Sequence, residues 1–453
     1  MKVNTSFTVI RAEVILTSSE TPVQRIDIRN NVVEVKFYEN LMKPYVDARI
    51  KMLDDFGFRS MLSLQGTERI VITVGSSENL MEPLFEKVFF ISNVIDAKKV
   101  NERSEALSLE LVEEHVYVNS VKQISRSFTK NIEGIVSDIC QGDLGKKVVK
   151  GFFQGSAQGV RKVIVPYLRP LEAMNWLMNR ATTKTGSPIF LSGDLYSDKL
   201  YLSDLDTLMA QEVINEELPY RFSTATKSAD PDKVLLGPYY DITAYEETGT
   251  DNSMSLFELG AIGSFHSSID AGTGLSSSSH LSVRDILTEL KSAGTIDEYT
   301  TQSVFDPSLI IDGKISDEYN SKHIHQVTSS NTYNQFQSYH DEATLLDQNN
   351  DIFESKLKMK NKIIRHILKK NVIDVGLDGI SLFKGKVSVG RRVRILFLSA
   401  NTSADKENAA EQIDKKKSGD YLILATSHHL IQENHFASMR VAKLGDLPKN
   451  FKL

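Results

Sequence analysis

The chain has 453 residues, room for two to four domains at roughly 100 to 200 residues each. With 41% apolar and 25% charged residues it has an ordinary globular composition, which excludes a disordered or fibrous chain. Its 53 Lys and Arg against 59 Asp and Glu give a net charge of −6, without the cationic footprint of a sequence-specific DNA binder.

Met1 to Ser6 lacks the apolar stretch of a secretory signal, and no window approaches the ~18 uninterrupted apolar residues of a spanning helix. A soluble chain that bypasses general export is expected. The single cysteine, Cys140, excludes an intrachain disulfide framework and a multi-cysteine metal or iron–sulfur site, and it suits a reducing compartment. No repeat of about 20 to 50 residues recurs, against a solenoid or propeller.

From Glu13 to about Glu114 the pattern has period two: Val32–Tyr38, Val46–Met52, Arg69–Val74, Val88–Ile91 and Leu107–Val112 read as half-buried strands. Their separators, Asn30-Asn31, Asp54-Asp55, Gly66-Thr67 and Asn101-Glu102, are turn chemistry, so an antiparallel barrel or sandwich is expected. After Ser120 helical spacing enters, at Ile132, Ile135, Val136 and Ile139, and at Leu171, Met174, Leu177 and Ala181 behind Pro170. Pro188–Ser192 and Lys199–Ser203 read as two strands turning at Gly193 and Asp198, which completes a small α+β unit over 119–215.

Residues 216–350 are polar and poorly periodic, with Ser276-Ser277-Ser278-Ser279 behind Gly272 and Gly274 and a Ser/Thr/Asn-rich run from Gln326 to Asn334. Long surface loops and one helix, Val283–Lys291, are expected there. A helix over Ile352–Leu368 follows, with Phe353, Leu357, Ile364, Ile367 and Leu368 on one face and Lys356, Lys360, Lys362 and Arg365 on the other. Val372–Val375, Arg392–Phe397, Tyr421–Thr426 and Ala437–Ala442 read as antiparallel strands of a second β-domain, interrupted by a charged loop over 401–418.

Candidate chemistry is sparse. His323-Ile324-His325 places both rings on one side if the segment is a strand, but no third ligand stands at a recognisable spacing. Adjacent His428 and His429 in a strand point to opposite faces and cannot chelate together. Gly272-Thr273-Gly274 lacks the third glycine of a dinucleotide fingerprint, and no nucleophile elbow, phosphate-binding loop or zinc-protease helix occurs. The pairs Asp204/Asp206 and Asp54/Asp55 are read as turn carboxylates that cap backbone amides. The basic run Lys356, Lys358, Lys360, Lys362, Arg365, Lys369 and Lys370 could face phosphate or membrane, but its ordered apolar side favours a packed helix with solvated lysines. Cys140 and Trp176 are read as core. The sequence therefore nominates no catalytic, cofactor-binding or metal-ligating residue, and no cofactor.

The order of features is more specific than any motif. It comprises Phe37-Tyr38-Glu39-Asn40 before Pro44-Tyr45-Val46, Asp54-Asp55-Phe56-Gly57-Phe58, and Gly66-Thr67-Glu68-Arg69-Ile70. It continues through the turn Ser92–Leu107, Ile124-Ser125-Arg126-Ser127-Phe128, and the run Val163–Leu177. In this order the chain resembles the baseplate central hub family of contractile-tailed, T-even-like bacteriophages. Leu382–Gly390 and Ser418–Ile423 are similar to the second barrel of hub and spike-hub proteins. The loop at 401–418 is longer than that family's hairpin, and 216–350 does not align with it.

The resemblance implies a mainly β, α+β chain with two tail-tube-like antiparallel β-barrel domains at 1–118 and 351–453, the latter led by a helix. Between them lie the α+β domain at 119–215 and a loop-rich inserted region at 216–350. It implies a non-enzymatic homotrimer that adapts the six-fold tail tube to the three-fold central spike and forms part of the DNA ejection channel. Its partners would be the central spike, tail tube and baseplate wedge proteins, with the tape-measure protein as a further candidate. DNA would be met only in passage, and no membrane is involved. The location would be the virion tail baseplate, assembled in the host cytoplasm. Alternatives are the hub of a related contractile injection system and a tail-associated cell-wall-degrading enzyme.

Overall fold

The computed structural model describes residues 7–16, 24–58, 66–77, 82–156, 159–222, 240–248, 254, 257–258, 260, 263–270, 274–292, 310–311, 314–315, 322–328, 351–369, 372–397, 413–414, 417–432 and 434–445. Seven strands open the chain: β1 (Phe7–Leu16), β2 (Gln24–Asp27), β3 (Val32–Asn40), β4 (Asp47–Asp54), β5 (Arg69–Ser76), β6 (Pro83–Lys99) and β7 (Glu105–Glu113). They pair antiparallel in the order β2-β1-β5-β6-β7-β4-β3. Alternation decides which face is buried. Val35 and Phe37 of β3, Ile50 and Met52 of β4, and Leu107, Leu109 and Leu111 of β7 point into one core with Phe58 and Phe89.

The α+β unit follows as α1 (Glu114–Val121), β8 (Ile124–Lys130), α2 (Ile132–Asp143), β9 (Lys147–Lys150), β10 (Arg161–Leu168), α3 (Pro170–Met178), β11 (Ile189–Ser192), β12 (Lys199–Asp204) and α4 (Leu205–Met209). Asn131 caps α2, its side-chain oxygen accepting the Gly134 N–H at 3.2 Å, and Pro170 opens α3 as its spacing predicts. Ile135, Val136, Ile139, Met174, Leu177, Leu200 and Leu202 close a separate core. The unit lies close against the N-terminal strands at Gly193, whose N–H donates to Lys43 O at 3.0 Å. A Cβ there would stand 2.8 Å from the Tyr45 backbone, so a side chain would push the two units apart.

The region expected to be loops contains strands instead: β13 (Tyr220–Phe222), β14 (Ile242–Glu247), β15 (Ser264–Asp270), β16 (Ser276–Leu281), β17 (Ile310–Ile311), β18 (Lys314–Ile315) and β19 (Lys322–Thr328), with α5 (Val283–Ser292) at the predicted helix. The four-serine run lies on β16, where Ser278 pairs with Ser267 of β15; Gln326 to Thr328 end β19 beside Ser268 to Asp270, and 329–334 lie outside the described residues. Ladder hydrogen bonds are made by backbone, so serines hold the sheet while hiding the apolar alternation that signals a strand. Gly272 and Thr273 lie outside the described residues; Gly274 adopts φ +73, a turn conformation.

The chain closes with α6 (Asp351–Ile367), β20 (Val372–Asp378), α7 (Ile380–Lys384), β21 (Arg392–Phe397), β22 (Gly419–Ile431) and β23 (Asn434–Gly445). Of the charged loop at 401–418, only 413–414 and 417–418 are described. The lower half of β22, Gly419 to Leu422, pairs with β21, whereas Ala425 to Ile431 pair with Asn40 to Glu34 of β3. A register shift between Ile423 and Ala425 marks the handover. One strand thereby joins both ends of the chain into a single thirteen-stranded sheet. The sheet curls so that Thr8 Oγ1 donates to Gln432 O at 3.2 Å at one end, and Arg221 bridges Asp241 at the other. The result is a mainly β, α+β fold with predominantly antiparallel pairing.

A further core sits where all segments meet. Leu41, Phe190, Leu205, Leu208, Ile286, Ile363, Ile364, Leu368, Leu422 and Leu424 pack together, with α6 in the middle. That position corrects the expectation of solvated lysines at one residue, since Lys362 and Lys369 are exposed as expected and Lys370 lies outside the described residues. Lys360 is buried and ion-paired with Glu289 of α5, and Arg365 donates to the Ile189 carbonyl, because α6 is covered on more than its apolar face. Trp176 is also corrected: it is half-buried at the rim of the α+β core, with the Arg180 guanidinium 4.2 Å above its ring.

Candidate functional site

Strand alternation gives the sheet a second, polar face. Glu34, Lys36 and Tyr38 of β3 point outward beside Arg49 and Lys51 of β4, Glu110 of β7, His429 of β22, Arg440 of β23 and Asp374 of β20. Nearly every charge there has an opposite neighbour. Lys36 and Lys51 donate to Glu34 at 2.8 and 2.9 Å, and Arg440 grips Asp374 through two bonds of 2.8 and 2.7 Å. Burial would raise the Glu34 carboxyl, but these lysines outweigh it and hold the group at about 2. A groove of about 680 Å³ crosses this face between Tyr38, Tyr45, Arg49, Glu110, Asp374 and Arg440.

Beneath that face lie buried polar clamps. Glu39 is 1% exposed and accepts from Leu195 N–H at 2.8 Å, Ser388 Oγ at 3.1 Å and Thr426 Oγ1 at 2.8 Å, tying β3 to three distant segments. Burial, helped by Asp194, pushes its carboxyl up to about 7. Lys87 Nζ donates to Glu113 Oε1 at 3.1 Å and to Ser197 O at 2.7 Å, while Glu113 Oε2 accepts the Val46 N–H at 2.8 Å. In the C-terminal part Arg394 forks onto Asp420 at 2.7 and 3.2 Å, and Arg392 donates to Met209 O and Gln211 O. These groups are spent on one another and on backbone, an arrangement that fixes segments in register.

Among the described residues the hydrogen-bonded path of the sheet ends at β2 and at β14, and β14 touches β13 only through the Arg221–Asp241 bridge at its start and the Phe222–Tyr245 ring contact. Thr243 to Glu247 of β14 are exposed, as are Gln24, Arg25 and Asp27 of β2. Such edges carry unpaired backbone groups and act as templates for another strand. A second exposed element is the β8–β10 ribbon, where Ile164 is 62% and Tyr167 69% exposed, the latter at φ +48 beside a register shift.

The residues weighed from sequence fall as follows. His323 and His325 stand on one side of β19 with rings 6.3 Å apart, and among the described residues no group of three His, Cys, Asp or Glu converges on a metal position. His428 is buried and His429 half-exposed on the opposite face. Asp204 accepts from Thr207 N–H at 2.7 Å and Gln154 N–H at 2.7 Å, and Asp54 from Phe58 N–H at 2.7 Å, so these are backbone caps; Asp206 and Asp55 accept from the Thr185 hydroxyl and the Asn31 amide. Cys140 is buried in the α+β core. Sequence reasoning missed Glu39, although it stands in the inward phase with Val35 and Phe37. It also missed His435, which meets His428 at 3.1 Å against Phe383. No helix among the described residues is long and apolar enough to cross a membrane.

No family matches the sequence, and no curated protein matches it. Solved structures share the fold. A tail protein from Neisseria meningitidis MC58 covers 97% of this chain and 97% of its own at 10% identity and TM-score 0.50. The 43 kDa tail protein of prophage MuSo2 from Shewanella oneidensis covers 95% and 98% at 10% identity and TM-score 0.51. An E. coli component of the type VI secretion system, described as similar to T4 phage tail proteins, covers 99% and 78% at 8% identity and TM-score 0.42. For the two tail proteins, at 10% identity, the likeness is one of fold.

Proposed function

We propose that the chain is the structural hub of a contractile phage tail baseplate, a homotrimer whose protomers each contribute two tube-like barrels to a ring around the DNA channel. The observation that carries this reading is the division of β22 between β21 and β3, which welds β-units from opposite ends of the chain into one curved wall. Proteins named as tail proteins with this same fold support it. In the ring the N-terminal unit, near 1–118, and the C-terminal unit, near 351–453 with β13 and β14 added to its sheet, stand as neighbouring barrels, and the α+β unit decorates the outside. Three copies then present six similar units to a six-fold tube and three to a spike.

Assembly runs through strand edges. The exposed edge at β14 of one protomer meets the edge at β2 of the next, a contact between unlike surfaces that closes into a ring. The polar sheet face, with charges of both signs held in pairs, lines the passage and gives DNA no cationic track to stick to. No catalytic step is needed.

The test is to charge one edge. Thr243→Lys with Ala244→Lys replaces two exposed residues and is expected to change stability by no more than about 0.5 kcal/mol. Native electrophoresis should show the assembly lost while circular dichroism stays as in the unmodified chain. Retention of the same assembly by the variant would count against the edge contact.

A further inference from the structure

A cavity of about 590 Å³ opens between the N-terminal strands, the α+β unit and α6. Met42, Met174, Met178 and Phe190 line it on the apolar side, and Arg365 and Lys369 on the charged side. Three methionines make a wall that reshapes itself around an inserted side chain. Arg365 sits in the last turn of α6 and Lys369 two residues past its end, and both line the same cavity.

Arg365 is the unusual member. Its Nε donates to Asn361 Oδ1 at 2.7 Å, its Nη2 to Ile189 O at 2.9 Å, and its plane lies over Phe190 at 5.1 Å. Among the described residues no carboxylate forms an ion pair with Arg365 or Lys369. The half-buried guanidinium thus has an amide, a backbone carbonyl and a ring but no carboxylate against it, and burial pushes it down to about 10. A carboxylate brought into the cavity would meet it with a charge-assisted hydrogen bond. The other charged lining groups are engaged: Lys43 with Asp47 at 3.1 Å, and Glu172 with the Arg169 N–H at the start of α3.

We propose that this cavity receives a segment of a partner protein carrying an acidic residue beside a large apolar one, the carboxylate seated on Arg365 and Lys369 and the apolar side chain on Met174, Met178 and Phe190. The choice of a protein segment rests on the reading of the chain as an assembly component; the chemistry of the seat does not.

The probe is a fluorescent, end-blocked octapeptide with two glutamates flanking a central phenylalanine, compared by anisotropy with the same peptide bearing lysines instead. The full chain should bind the glutamate peptide saturably, less tightly as salt rises. Arg365→Gln and the exposed Lys369→Glu should each weaken it by about tenfold or more, and Lys369→Glu should gain affinity for the lysine peptide. Lys369 lies outside every core, so its variant keeps the test valid if Arg365→Gln fails to fold. The inference is overturned by no saturable binding, by equal binding of both peptides, or by Lys369→Glu binding the glutamate peptide as the unmodified chain does. Phenylacetate binding as tightly as the peptide would overturn the protein segment in favour of a small organic acid. Loss of peptide binding with trimer mass intact strikes this inference alone, and monomer mass with peptide binding intact strikes the hub reading alone.

Discussion

Leu195 donates its backbone N–H to Glu39 Oε1 at 2.8 Å across 156 positions of sequence. The bond joins the inward face of β3 to the turn between β11 and β12, and the same carboxyl also receives Ser388 and Thr426. One residue therefore holds the N-terminal sheet, the α+β unit and the C-terminal strands in fixed relation.

That position makes Glu39 a source of pH dependence. Its carboxyl stands at about 7 in the fold and at 4.5 when exposed, chiefly through burial. Its contribution is fully present below about 4.5, where both states are protonated, and falls as pH rises, because the unfolded chain releases the proton first. Above about 7 the loss is complete, on the order of 3 kcal/mol. Glu39→Gln should keep the clamp and remove this slope, so that its stability relative to the unmodified chain rises between pH 5 and pH 8 in urea titrations. An unchanged difference across that range would show that Glu39 is not the group responsible.

The shared core should govern global stability. Ile364 of α6 is 3% exposed among residues from every segment, so Ile364→Ala should cost about 2 to 5 kcal/mol. Ile164→Ser on the exposed ribbon should cost no more than about 0.5 kcal/mol. Equal denaturation midpoints for the two variants would contradict the placement of α6 at the joint.

Cys140 should behave as a hydrophobe. Burial pushes its thiol up to about 12, so the thiolate that reacts with disulfide reagents is scarce in the native state. A chromogenic disulfide reagent at pH 8 should read one slow thiol in the folded chain and a fast one in denaturant. Immediate labelling of the native protein would place Cys140 at the surface.

Much of this fold was legible because strong periodicity has few other causes. The strands at Val32–Tyr38, Leu107–Val112 and Arg392–Phe397 and the helix behind Pro170 follow from spacing alone. Other elements were hidden for physical reasons. The β16 serines form a strand with backbone bonds alone, so no apolar rhythm announced it. Lys360 and Arg365 looked solvated because helix periodicity reports one buried face and says nothing of a second covering layer. Glu39 sat in plain view on the inward phase of β3, but its three donors come from positions that only the folded chain brings together. The methionine and arginine cavity had no sequence signature, since its walls come from five separated segments.

The most direct test of the hub reading is native mass spectrometry of the full chain at micromolar concentration, alone and mixed with its spike protein. The reading predicts a species of three times the chain mass, which persists or forms on adding the spike. A strict monomer under both conditions would contradict the ring.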